Sequence, residues 1–230
     1  GKSVVIDRDS TGGGWFDQHE VQTINADGSR TNSISDLSQS GAVIRSVSET
    51  ISIDGKTRTT STDEDGSGTA DTTTTHAITV NANNSRTEVV SLTNGDTTLR
   101  SSETTSVSAD GRSKTITSDL DGDGDTDLTE ALTITVSGSG STSSITYKNG
   151  DNSVRASETH TQSVDALTKT IQKDVDGDGD NDTTTIDQTI VNGDQSRVNT
   201  VTTTNVDGSV RDKVKVTLAA DKVTSETWVD

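Results

Sequence analysis

Short runs of alternating apolar and polar residues, separated by small polar turns, recur along the whole chain. The clearest run ends the segment 128–136, where Leu132, Ile134 and Val136 alternate with threonines. Strict alternation of this kind predicts a β-strand with one face towards solvent. No segment carries an apolar stripe with a period of 3.6 residues, so the sequence predicts an all-β protein.

Glycine-containing turns set the length of these strands. Asn149-Gly150-Asp151 and Ala26-Asp27-Gly28 are typical of tight hairpin connections. Four strand-like runs and four turns make up a unit of about 56 residues, which contains two hairpins of about 28 residues each. The sequence therefore predicts tandem units of four short antiparallel strands, arranged as an elongated array that resembles a solenoid or a meander.

Each predicted strand has only two or three apolar residues, all on one face. Such a thin apolar strip needs a cover, because exposed apolar surface contributes nothing to folding. Closure of the chain on itself as a solenoid, a narrow sandwich or a barrel would supply the cover, and so would a neighbouring molecule. The sequence does not choose among these arrangements.

Acidic turns mark the start of each unit. The segment 119–127 places aspartates at alternate positions of a turn that contains Gly122 and Gly124, and the segment 174–182 has the same spacing. A weaker version occupies 63–71, and a version two residues longer occupies 7–17. The four segments begin 56, 56 and 55 residues apart. A fixed period of this length indicates a tandem array.

The period predicts four repeats, at residues 1–62, 63–118, 119–173 and 174–229. The first repeat is incomplete at its start, and Asp230 stands where a fifth acidic turn would begin. We therefore expect the chain to be a segment of a longer array.

Aspartates at alternate positions of a tight turn repel one another unless a hard cation lies between them. Ca²⁺ takes six to eight oxygen ligands in flexible geometry, whereas Mg²⁺ demands a strict octahedron and usually retains water. In the third loop we expect ligands from Asp119, Asp121, Asp123 and Asp127, and from the carbonyl of Asp125. The corresponding residues are Asp174, Asp176, Asp178, Asp180 and Asp182 in the fourth loop, Asp63, Asp65, Ser67 and Asp71 in the second, and Asp7, Asp9, Thr11 and Asp17 in the first. The sequence thus predicts about one Ca²⁺ per repeat, and the alternative at each loop is a solvated acidic turn.

The composition makes these ions important for folding. Only 25% of the 230 residues are hydrophobic and 2% are aromatic, while the formal charge is −18. Such values lie close to those of disordered chains, which bury too little apolar surface to offset their entropy. Nearly half of the 37 acidic residues lie in the four loops. We therefore expect a chain that is expanded or partly disordered without metal and ordered with it.

The same features narrow the location and the partners. Calcium loops of this kind fill at the roughly millimolar concentrations found outside cells, which favours an extracellular or cell-surface location. No apolar run approaches the ~18 residues of a membrane span, and an acidic surface repels nucleic acid. His19, His76 and His160 occupy no equivalent place in successive units. We therefore expect no enzymatic activity.

The acidic loops at 119–127 and 174–182 resemble the calcium loops of thrombospondin type 3 repeats, dockerins and integrin-type propeller blades. The whole unit, with its Ala-Asp-Gly turns and the Ser-Glu-Thr segments at 48–50 and 157–159, resembles the tandem repeats of very large secreted calcium-binding proteins of bacteria. Those repeats are often grouped with RTX adhesins. The resemblance implies a bacterial protein that is secreted or displayed on the cell surface.

Two functions follow as hypotheses. The first is a calcium-stabilised structural segment, such as a stalk, a linker or a filament that assembles with other copies of itself, end to end or laterally. The second is an adhesive module that binds a glycan, ice or another surface. Equivalent surfaces on every unit would favour the first hypothesis, and a patch confined to one unit would favour the second.

Overall fold

The computed structural model of the protein describes residues 1–220 and 225–229, and Asp230 lies outside this range. The described residues contain 17 strands and no helix. Accordingly, they include no helix long and apolar enough to cross a membrane. The strands are β1 (Lys2–Arg8), β2 (Gln18–Ile24), β3 (Arg30–Leu37), β4 (Val43–Ile51), β5 (Thr57–Asp63), β6 (Thr72–Val80), β7 (Arg86–Asn94), β8 (Leu99–Val107), β9 (Ser113–Asp119), β10 (Leu128–Ser137), β11 (Gly140–Asn149), β12 (Val154–Ser163), β13 (Thr168–Asp174), β14 (Thr183–Val191), β15 (Arg197–Asn205), β16 (Val210–Leu218) and β17 (Ser225–Val229).

The chain divides into two compact units, which are described separately. Unit one comprises residues 1–109 and 116–127, and unit two comprises residues 110–115 and the chain from 128 onward. In unit one, each strand from β1 to β8 pairs antiparallel with the next along the chain. In unit two, β10 to β17 pair in the same way. The predicted all-β antiparallel meander is confirmed.

Four strands follow each acidic loop: β2 to β5, β6 to β9, β10 to β13 and β14 to β17. The strands alternate in direction, so successive connections lie at opposite ends of the strands. In unit one, the tight turns 38–42 and 94–98 lie at the same end of the strands as the acidic loops. The repeat boundaries drawn from the sequence stay a prediction.

The sheet in each unit is a single open layer. Among the residues that the structure describes, no hydrophobic side chain is buried, and the buried residues are all polar or charged. None of the closures that the sequence left open is therefore needed to form the strands. Backbone ladders and turns hold the layer together, because the apolar side chains bury too little surface to do so.

The tight turns have a side-chain network of their own. In the turn 149–153, Asn149 Nδ2 donates to Ser153 Oγ (3.0 Å), and the Ser153 N–H donates to Asp151 Oδ1 (2.9 Å). The same Asn-to-Ser/Thr and Ser/Thr-to-Asp/Asn bonds recur in the turns that begin at Asn25, Asn81, Asn94, Asn192 and Asn205. Hydrogen bonds from Ser153 lower the pKa of Asp151 because they favour its charged form.

Candidate metal centres

The first aspartate of each of three acidic loops ends a strand and is buried. Asp63, Asp119 and Asp174 close β5, β9 and β13, with exposed fractions of 5%, 7% and 4%. In the third loop, Asp119 accepts the N–H groups of Gly122 (2.6 Å) and Gly124 (3.1 Å). The buried carboxylate therefore organises the loop from within, and its negative charge is fixed in position by backbone dipoles.

The last aspartate of each loop returns the chain to the sheet. The Asp127 N–H donates to the carbonyl of Ser118 (2.8 Å), and Asp127 Oδ2 accepts the N–H of Leu120 (2.7 Å). The same carboxylate bond joins Asp71 to Glu64 and Asp182 to Val175, at 2.7 Å in both cases. In each of these three loops, the carboxylates of the first and ninth residues thus hold the backbone through hydrogen bonds.

These hydrogen bonds bring three aspartates together in each of the second, third and fourth loops. Positions 1, 3 and 9 each place a carboxylate oxygen within 4.8 Å of the other two. The groups are Asp63, Asp65 and Asp71; Asp119, Asp121 and Asp127; and Asp174, Asp176 and Asp182. Three carboxylates at this separation repel one another, and an ion of opposite charge placed among them would relieve the repulsion. Each group could therefore hold a metal ion.

The other predicted ligands lie outside these groups. Asp123 Oδ1 accepts the N–H of Asp125 (2.8 Å), and Asp178 Oδ1 accepts the N–H of Asp180 (2.9 Å). All four residues are exposed. In the second loop, the hydroxyl of Ser67 is hydrogen-bonded to the hydroxyl of Thr69 (3.0 Å). These side chains shape the turn, and only their free oxygens would remain for an ion.

The first acidic loop has a different alignment from the one expected. The Asp17 N–H donates to the carbonyl of Arg8 (2.9 Å), as the Asp71 N–H does to Thr62 (2.8 Å), and Asp9 accepts the N–H groups of Gly13 and Gly14. The nonapeptide equivalent to 63–71 is therefore 9–17. In this alignment position 3 is Thr11, position 5 is Gly13 and position 7 is Trp15, so three acidic positions of the third loop have no carboxylate here.

Asp7 and Asp17 are both engaged with other protein groups. Asp7 lies on β1, where its Oδ1 is 2.6 Å from Nδ1 of His19. Asp17 is buried and accepts the N–H groups of Ser10 and Thr11, both at 2.9 Å, together with the Ser10 hydroxyl. The Ser10 N–H is the main cause that lowers the pKa of Asp17 to about 2. Asp7, Asp9 and Asp17 do not form a three-carboxylate group with one another.

The glycines of the loop would have revealed this alignment. Gly12 and Gly14 have φ angles of 71° and 78°, and Gly66 and Gly68, which occupy the same two positions of the second loop, have 71° and 86°. Left-handed backbone at positions 4 and 6 strongly favours glycine. Counting from the glycine pair, and not from the first aspartate, gives Asp9 as position 1.

Each three-carboxylate loop also packs against an irregularity in the sheet, which the sequence did not reveal. The pairing of β7 with β8 skips Arg100, because Leu92 faces Ser101 and Thr93 faces Leu99. A Cβ atom added to Gly122 would lie 2.2 Å from the carbonyl oxygen of Leu99. Bulges with the same skip occur at Ile44, Arg155 and Arg211.

The fourth residue of the second and fourth loops also lies against a bulge. Gly66 approaches Val43 at the β4 bulge, and Gly177 approaches Val154 at the β12 bulge, with carbonyl oxygens 2.3 and 2.2 Å from an added Cβ atom. Gly12 of the first loop has no such neighbour within 4 Å. The loops that gather three carboxylates are therefore the loops whose fourth residue packs against a bulge.

Comparison with known proteins adds no family to this description. No protein-family model matches the chain, and no curated protein shows significant similarity to it.

Proposed function

We propose that this chain is a calcium-stabilised structural segment of a secreted or cell-surface bacterial protein. It would act as a stalk, linker or filament segment in which bound ions rigidify successive groups of strands. One observation carries the proposal: three loops, built alike and placed at equivalent points of the repeat, each gather three aspartate carboxylates. The resemblance of the repeat to those of large secreted calcium-binding proteins supports the same function.

Calcium suits these loops better than other common cations. The ligand atoms are all oxygens, which excludes the softer metals that prefer sulfur or imidazole. Two of the three aspartates in the second loop are exposed, so water can complete the six to eight ligands that Ca²⁺ takes. The loops would fill at the roughly millimolar calcium concentrations found outside cells.

The ions would stabilise loops that contact neighbouring strands and turns of the sheet. In unit one, the second loop contacts β4 through Gly66 and contacts the turn 94–98 through Ala70, whose carbonyl oxygen would lie 2.5 Å from a Cβ atom on Gly95. An ion that fixes this loop would therefore also hold β4 and the turn 94–98, which lie at the same end of the strands. Because no hydrophobic residue is buried among the described ones, such contacts between loops and neighbouring strands would have a large share in the stability of the layer.

A calorimetric calcium titration of the whole chain tests the proposal. We expect three ions per chain, one for each three-carboxylate loop, and none for the loop at 9–17. The double variant Asp121→Asn, Asp176→Asn should bind one ion, because each substitution removes a charged ligand from one loop. The matched control is Asp7→Asn, which removes an acidic residue outside the three groups and should still bind three.

Two outcomes would contradict the proposal. The absence of a calcium-binding isotherm in the millimolar range would remove the ion from the account. Binding that is unchanged in the Asp121→Asn, Asp176→Asn variant would show that the ions lie elsewhere.

A further inference from the structure

One face of unit one carries continuous rows of hydroxyl side chains. The register connects Thr31, Thr50, Thr59, Thr75, Ser91 and Ser102 as direct neighbours across six strands, β3 to β8. The next row, from Ser33 on β3 to Thr93 on β7, again contains only serine and threonine. Directly paired residues project from the same face of a sheet. We call these two rows the hydroxyl face.

The two faces of the same strands differ in charge. Neither row of the hydroxyl face contains a charged residue, whereas Arg30, Glu49, Arg58, Glu88 and Glu103 alternate onto the opposite face. The chain has a formal charge of −18, so two copies repel one another over most of their surface. The hydroxyl face is the part of this sheet where a second copy can approach without placing like charges together.

The hydroxyl groups are partly satisfied within the sheet. Thr31 and Thr50 Oγ1 atoms lie 3.2 Å apart, Ser33 and Ser48 Oγ atoms lie 3.0 Å apart, and Ser61 Oγ lies 3.1 Å from Thr73 Oγ1. A hydroxyl that is already hydrogen-bonded costs less to remove from water than one that loses its only partner. Small side chains also allow two sheets to approach closely and interdigitate, as they do in stacked β-sheets.

The size of the face suits a specific contact. The two rows span six and five strands, and the adjoining row (Thr57, Ala77, Val89 and Thr104) spans four. With strands about 4.8 Å apart and rows about 6.8 Å apart, these positions cover on the order of 500 Å² per copy. Two copies would bury on the order of 1,000 Å², which is about the minimum for a specific protein interface. A sheet normally packs one face against a second layer, and no hydrophobic residue is buried within the described chain.

We infer that the hydroxyl face is a self-association surface, on which a second copy of this chain packs face to face and supplies the second layer. The inference does not depend on which ion the acidic loops hold. It assigns lateral association to one face of the sheet and leaves the strand edges out of the contact.

Two matched double variants test the inference. Thr59 and Thr75 are paired on the hydroxyl face, and their neighbours Thr60 and Thr74 are paired on the opposite face of the same two strands. Thr59→Lys with Thr75→Lys, and Thr60→Lys with Thr74→Lys, change the composition and the net charge identically. Both variants lower the net negative charge, so general repulsion between copies decreases equally in both.

Sedimentation velocity of the full chain over a concentration series, in saturating calcium, is the measurement. We expect a reversible dimer for the unsubstituted chain, a dissociation constant raised at least tenfold in Thr59→Lys/Thr75→Lys, and one within about twofold in Thr60→Lys/Thr74→Lys. A chain that stays monomeric up to about 1 mM would overturn the inference. So would equal weakening by both variants, or a monomer whose hydroxyl face binds ice or an insoluble polysaccharide.

Thiol alkylation supplies a second readout that needs no lysine. The chain has no native cysteine, and Val47 and Ser48 project from opposite faces of β4. Alkylation of Ser48→Cys should slow as the protein concentration rises, while alkylation of Val47→Cys should not. The reverse pattern would overturn the inference. None of these substitutions touches a loop carboxylate, so calcium binding can be measured independently in every variant. A chain that binds calcium but stays monomeric would overturn the self-association inference and leave the proposed calcium sites in place.

Discussion

At the scale of single residues, the acidic loops show two ways to hold a carboxylate. In the second, third and fourth loops, the closing aspartate accepts one N–H from position 2, as Asp127 does from Leu120, and lies beside two other carboxylates. In the first loop, Asp17 accepts donors from both Ser10 and Thr11. Hydrogen bonds from the protein thus take the place at Asp17 that a cation would take at Asp127.

The pKa of Asp17 tests this difference. Its value in the folded chain is lowered to about 2 from an ordinary 3.8. A lowered pKa means that the carboxylate stabilises the fold above its unfolded pKa, and that this contribution is lost as the pH falls from about 4 towards 2. We expect the side-chain carboxyl carbon of Asp17, followed by NMR in saturating calcium so that the chain is folded, to titrate near pH 2.

The control for this titration is Ser10→Ala. It keeps the backbone donor of Ser10, which is the largest cause of the shift, and removes only the hydroxyl donor. The pKa of Asp17 should rise but stay below the ordinary value. A midpoint near pH 4 in the unsubstituted chain would show that Asp17 does not accept these bonds in solution.

At the scale of elements, the loop and the bulge act as a pair. Gly122 and Gly124 of the third loop have φ angles of 78° and 94°, so alanine at either position meets left-handed backbone strain of about 1–2 kcal/mol. Only Gly122 also approaches another strand, with an added Cβ atom 2.2 Å from the Leu99 carbonyl oxygen; around Gly124 the space is open. The two positions therefore separate backbone strain from packing.

We expect Gly122→Ala to destabilise the chain more than Gly124→Ala. Both variants bear the backbone strain, and Gly122→Ala must in addition push the loop away from the β8 bulge. Urea unfolding in saturating calcium measures the free energy of unfolding of each variant, and calorimetry measures their calcium affinities. Equal losses in the two variants would mean that contact with the bulge contributes nothing.

Much of this element-level structure could be predicted from the sequence. Alternation such as that of Leu132, Ile134 and Val136, together with turn sequences such as Asn149-Gly150-Asp151, was enough to predict antiparallel strands and hairpins. The bulges were not predictable, because a bulge is defined by the partner strand: Arg100 is extra only relative to the pairing of Leu92 with Ser101. The alignment of the first loop could have been predicted, because Gly12 and Gly14 precede Asp17 at the same spacing as Gly66 and Gly68 precede Asp71.

At the scale of the whole molecule, the sequence did not predict that the sheet of each unit is a single open layer. Alternation shows which side chains share a face, but it does not show what covers that face. We expected the thin apolar strip to need a cover, yet Val90 and Val136 are 37% and 55% exposed. On the opposite face of unit one, hydroxyl rows are a consequence of register, and a register of six strands cannot be deduced from any one of them.

Under the proposed function, bound ions would supply a large share of the stability of such a layer. A ligand that binds only the folded state stabilises it by RT ln(1 + [L]/Kd), which is about 1.4 kcal/mol per site at ten times Kd. Three such sites would contribute about 4 kcal/mol, a large fraction of the 5–15 kcal/mol typical of folded domains. A chain of low apolar content and high negative charge has few other sources of stability.

Thermal unfolding followed by circular dichroism, with and without calcium, tests this claim most directly. We predict a strand spectrum and a cooperative transition in millimolar calcium, and a transition at a much lower temperature, or none, once the calcium is chelated. The Asp121→Asn, Asp176→Asn variant in calcium should fall between these two results. An unfolding curve that is the same before and after chelation would contradict the account.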